Sequence, residues 1–176
     1  MLGESRKEAI GRLVRENQGR LQRSDFLDGL SLAVGSAIRP SQLLSLKATD
    51  NVRTALSTGY AAAVNGQPDT GHGFFSRDES LSALGIPLLL SRSLPEENAF
   101  LWVKQSAWCG AVAITTGKVL GACEGIRAFD GDAVSLLSED HTQGIIFDRH
   151  DDFVQNFEAS VWGSRWLAAA SSLGIG

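Results

Sequence analysis

The stretch from residue 99 to 166 decides the fold, because it breaks into the short apolar runs AFLWV (99–103), AWCGAVAI (107–114), VLGACEGIRA (119–128), AVSLLS (133–138), TQGIIF (142–147) and FEASVWG (157–163). Between runs stand TTGK (115–118), DGD (130–132), EDH (139–141) and RHDD (149–152). Short runs closed by such turn residues are the pattern of an antiparallel meander. The clearest period-two signal is Phe157, Ala159 and Val161 alternating with Glu158, Ser160 and Trp162, which marks a half-buried strand. A three-residue loop at Thr115-Thr116-Gly117 would set Cys109 opposite Cys123, whereas a two-residue turn would pair Cys109 with Glu124.

Upstream the period changes. Ile10, Leu13, Val14 and Leu21 form one helical stripe over residues 5–23, with Ser5 and Glu8 in the capping-box arrangement. Residues 4–23 carry six basic side chains against three acidic ones, a basic helix whose charges are expected to be a solvated face. Ser24 or Asp25 is placed to cap a second helix, with Phe26, Leu30, Val34 and Ile38 on one face and the Arg39-Pro40 step as its stop. Gly29 and Gly35 within it imply that another element packs closely there. A short helical turn at 41–47, a helix from Asp50 to the Asn65-Gly66 stop, a loop at 67–76, a short helix at 77–84 and an edge strand or extended buried segment at 86–90 complete the first half. Residues 166–171 suit a last helical turn.

A chain of 176 residues with 43% hydrophobic and 20% charged residues is globular in composition and large enough to bury roughly 70% of its unfolded surface. The net charge of −4 argues against a nucleic-acid partner. Charges near the N-terminus take the place of a signal peptide's apolar run, and no window is apolar over a membrane's width, so the expectation is a cytoplasmic protein without membrane contact. Cys109 and Cys123 are too few for a disulfide scaffold, lack metal-site spacing, and read as buried thiols.

Residues 119–158 hold nine acidic side chains against two basic ones, a local balance of −7. Because strands in a meander return side by side, turns two strands apart gather at one end of the sheet, and acidic turns give that end a negative field suited to a basic protein partner. The candidate binding residues are therefore Asp130, Asp132, Glu139, Asp140, Asp148, Asp151 and Asp152, with Trp162 as the candidate anchor, since tryptophan is enriched in binding hot spots. Trp102, Trp108 and Trp166 are divided between core and interface by burial alone. A rival reading uses the same turns: Asp130, Asp132, His150 and Asp152 as ligands of a metal-dependent hydrolase. The zincin helix, the calcium-loop spacing, the phosphate loop and the nucleophile elbow do not occur in the chain.

The expectation is a single α+β domain over 1–176, in which a helical cover (1–90) lies on one face of a mainly antiparallel sheet of five or six strands (98–166). Its expected role is non-catalytic: an acidic protein-binding module needing no cofactor or metal. Bacterial toxin inhibitors and immunity proteins share that physical logic, a similarity of composition without a residue motif. Oligomeric state is left open.

Overall fold

The computed structural model describes residues 6–64, 72–77, 85–131, 133–150 and 156–172. Among them, six strands form one sheet in the order β1-β6-β5-β4-β2-β3, every neighbouring pair antiparallel. They are β1 (His72–Arg77), β2 (Asn98–Trp102), β3 (Val112–Thr115), β4 (Val134–Ser138), β5 (Gly144–His150) and β6 (Asn156–Trp162). The helices are α1 (Arg6–Val34), α2 (Leu46–Val64), α3 (Gly85–Ser93), α4 (Ser106–Cys109), α5 (Thr116–Gly121), α6 (Cys123–Asp130) and α7 (Ser164–Ser171), with a 3-10 turn at Pro40–Gln42. The α+β class and the antiparallel sheet stand as expected.

Several local expectations are corrected. Only β4, β5 and β6 form a meander, because β4 pairs with β2 and the segment between these two strands holds α4, the edge strand β3, α5 and α6. The run 119–128 is α5 and α6 rather than a strand: Val119, Leu120, Cys123 and Ile126 are all buried, and their spacing is that of one helical face. The Thr115–Gly117 hairpin therefore does not exist; Cys109 ends α4 and Cys123 opens α6, both buried and free. The run 107–114 divides between α4 and β3. Residues 86–90 are helical; Pro87 sits in the first turn of α3, where its missing N–H costs no hydrogen bond. Part of the loop assigned to 67–76 is β1, and Arg77 ends that strand; the rest of that loop and of the helix expected at 77–84 lies outside the described residues, as do Ser5 and the Asn65-Gly66 stop.

The two expected N-terminal helices are one of 29 residues. Ser24 and Asp25 lie within it, and it ends at Gly35, whose φ of 70° lets its N–H reach Leu32 O while the Ser36 N–H bonds Ser31 O. The close packing inferred at Gly29 is real: a Cβ there would overlap the ring of Phe129 on α6, which also stacks at 6.2 Å from Phe26.

The sheet is covered on both faces rather than one. On the first lies the larger core, where Leu101, Val112, Leu136, Ile145, Phe147 and Val161 meet Phe26 and Leu30 of α1, Leu90 of α3, Leu120 of α5, Ile126 of α6 and Trp166 of α7. On the second, α2 crosses the sheet and buries Val52 and Leu56 against Leu137 and Trp162. The start of α2 is tied down by Thr49, whose buried hydroxyl accepts the Ala111 N–H at 2.9 Å. No helix among the described residues is long and apolar enough to cross a membrane.

Candidate functional site

Strand register decides where the acidic residues fall. β2 and β4 run in opposite directions, with Ala99 against Ser138 and Trp102 against Ser135, so the β4–β5 turn lies at the end of the sheet where β2 begins. Asp130, which precedes β4, lies at the other end. There its carboxylate accepts the Lys104 N–H at 2.6 Å and the Gln105 N–H at 3.2 Å, just beyond β2. Val134 opposes Phe147, which puts Asp148 at that same end. Its register partner on β6 is Glu158. Asp130 and Asp148 are thus brought together at one end, and Glu139 and Asp140 are carried to the opposite one. Asp132, Asp151 and Asp152 lie outside the described residues. The acidic residues are divided because successive turns of an antiparallel meander alternate ends, so the β4–β5 turn with Glu139 and Asp140 lies opposite the end that holds Asp130 and Asp148.

The end that holds Asp140 is a hydrogen-bonded clasp. The carboxylate accepts the Ser138 hydroxyl at 2.6 Å, the Thr142 N–H at 3.0 Å and the Thr142 hydroxyl at 2.8 Å. These bonds, the one from Ser138 first, then those from Thr142, with the Arg165 charge adding to them, lower its pKa from 3.8 to about 2. His141 beside it takes a positive φ of 62° to close the turn. Gln143 is 5% exposed, and its Oε1 accepts the Arg165 and Trp166 N–H groups at 3.0 and 3.2 Å. Those are free amides of the first turn of α7, whose cap residue is Gly163. Glycine is required at that cap because φ is 86° and a Cβ would strike the Gln143 amide. Glu97 completes the clasp by accepting the Trp166 indole N–H at 2.6 Å and an Arg165 N–H at 2.9 Å. Gln143 and Glu97 were not singled out in the sequence; polar residues beside a glycine-opened helix were the available signal.

Trp162 is 5% exposed and is enclosed by α2, its ring lying over Gly59 and Gly144, so it is a core residue and not an exposed anchor. Trp166 is fully buried in the other core, so these two tryptophans pack on opposite faces of the sheet. Trp108 is half-buried on α4. Trp102 itself is half-exposed on the α2 face, at the end of the sheet that holds Asp130 and Asp148.

Burial raises the Cys109 thiol to about 11 and the Cys123 thiol to about 12, the latter with help from Glu124. Both are protonated at neutral pH and unsuited to nucleophilic work. Among the described residues no three His, Cys, Asp or Glu side chains are grouped to hold a metal, and of the residues in the hydrolase reading Asp132 and Asp152 fall outside them. Between α1 and the start of α2 runs a cleft of about 920 Å³, lined among others by Arg12, Arg15, Arg20, Arg23 and Lys47. Its two carboxylates are already engaged, Glu16 by Arg12 at 3.1 Å and Asp50 by Arg15 at 2.8 Å. No family model matches the chain, and no curated protein or solved structure matches it significantly.

Proposed function

We propose that the protein is a non-catalytic binding module that presents the Asp130–Asp148 end of its sheet to a basic protein partner, as a toxin inhibitor or immunity-type protein does. The observation that carries this reading is the half-exposed Trp102 at the end of the sheet where Asp148 and Glu158 stand in register. A half-buried aromatic residue and acidic residues at the same end of one sheet combine a desolvated contact with a steering field, which protein interfaces use for affinity and encounter rate. Asp148 and Glu158 are register partners on β5 and β6, which places both acidic residues at this end of the sheet.

The test is affinity capture from extracts of the source cell with wild-type bait, an Asp148→Lys/Glu158→Lys bait and a Trp102→Ala bait, each first shown to melt as a folded protein. The reading expects basic partners held by wild type, released as salt is raised past the Debye screening of about 0.15 M, and lost from both variants. Partners that the charge-reversed bait retains equally well would end it.

A further inference from the structure

The apolar stripe of α1 faces the wrong way for a helix that serves only its own core. Ile10, Val14, Leu21 and Leu32 follow one another at intervals of four, seven and eleven, which is one side of a helix. They are 53%, 61%, 76% and 84% exposed. The side turned to the body is carried by Gly19, Phe26 and Leu30, all buried, and by Arg15, which donates to the Ala107 carbonyl of α4 and to Asp50 of α2. The helix is therefore docked through Arg15, Gly19, Phe26, Gly29 and Leu30, and its aliphatic side looks into solvent along its length.

That outward side is also polar end to end in a particular sense. Arg6 and Lys7 lie at its start, Asp25 and Asp28 toward its close, all four exposed, with Asn17 and Gln18 near the middle. A parallel copy would set like charges side by side. An antiparallel copy sets Lys7 opposite Asp28 and Val14 opposite Leu21, with Asn17 and Gln18 meeting near the two-fold axis, and every such contact is made twice. We infer that this face of α1 binds a second copy of the chain as an antiparallel helix pair. The occupant is assigned by self-complementarity: apolar centre on apolar centre, basic start on acidic close. The surface is on α1 and separate from the Asp130–Asp148 end, so the two proposals stand or fall independently. One helix pair lies at the small end of interface sizes, below roughly 1,200 Å², so the dimer dissociates on dilution.

Sedimentation equilibrium of the intact protein from about 1 to about 300 µM, a range that brackets micromolar dimers, is expected to show a monomer–dimer exchange. Leu21→Glu is expected to weaken it at least tenfold with the melting temperature unchanged, because that side chain touches solvent in the monomer. Lys7→Glu alone weakens it by roughly two- to fivefold, and adding Asp28→Lys restores it. Orientation is read by oxidative cross-linking: Gln18→Cys joins two chains near the axis, and Lys7→Cys does not. A monomer at the highest concentration, a dimer indifferent to Leu21→Glu, or cross-linking through position 7 overturns the inference.

Discussion

The two ends of the sheet both carry carboxylates, and they use them differently. At the end that holds Asp140, acid, amide and hydroxyl groups satisfy one another: Asp140 closes its own turn, Gln143 supplies the first turn of α7 with acceptors, and Glu97 takes the indole of Trp166. At the other end Asp130 holds the backbone beyond β2, and Asp148 and Glu158 are register partners on β5 and β6 at the end of the sheet that also holds the half-buried Trp102. Placement at one end of the sheet or the other, which composition does not reveal, separates the two groups of acidic residues. Substitutions at the first end should cost stability and leave recognition of a basic partner intact; those at the second should do the reverse.

The comparison is tested hardest by Trp166→Ala. The side chain is fully buried in the larger core and its N–H is bonded to Glu97, so its loss is expected to cost about 3–5 kcal/mol, read as a fall in the urea midpoint. A cost under about 1 kcal/mol, the scale of surface substitutions, would mean that α7 is not part of the cooperative fold. Gln143→Ala comes next. It strands the Arg165 and Trp166 amides, and leaving such groups unpaired costs about 1–3 kcal/mol. Hydrogen exchange should locate the damage, with protection lost first in α7 and the β4–β5 turn. Protection lost evenly over the chain would mean the clasp is not a local device.

How much of this was legible in the sequence depended on period and on partners far away in the chain. β4, β5, β6 and α7 were readable because alternation and turn residues agree with their final environment. The run 119–128 was misread because an apolar run broken by two glycines and lacking β-branched residues at most positions has no decisive period by eye, although Val119, Leu120, Cys123 and Ile126 carry the helical one. Ser24 and Asp25 resemble caps, yet inside α1 they face solvent, where neither interrupts a helix fixed by Phe26 and Leu30. β1 was hidden because a strand next to glycines has no core-length apolar run of its own; its pairing with β6 defines it. For the candidate site, the acidic balance was visible, and strand alternation alone separates the β4–β5 turn from the end that holds Asp130 and Asp148. What the sequence did not reveal is which groups each carboxylate bonds, since Asp130 holds amides 25 and 26 residues away.

The smallest expected effect belongs to Asp140, and pH makes it measurable. Its pKa is depressed from 3.8 to about 2 in the folded chain, so the folded state binds its proton less readily than the unfolded one. The resulting stability is fully present above 3.8 and is lost as pH falls through about 2. The side chain is 57% exposed, so solvent screening holds the contribution below about 1 kcal/mol. Asp140→Asn keeps an oxygen that accepts from Ser138 and Thr142 but removes the charge. The variant should therefore melt slightly below wild type at pH 7, with a gap that narrows between about pH 4 and pH 2 and closes below it. A gap constant across that range would show that the turn is held by hydrogen-bond geometry with no contribution from the carboxylate charge, and the two ends of the sheet would then differ less in their electrostatics than their hydrogen bonds imply.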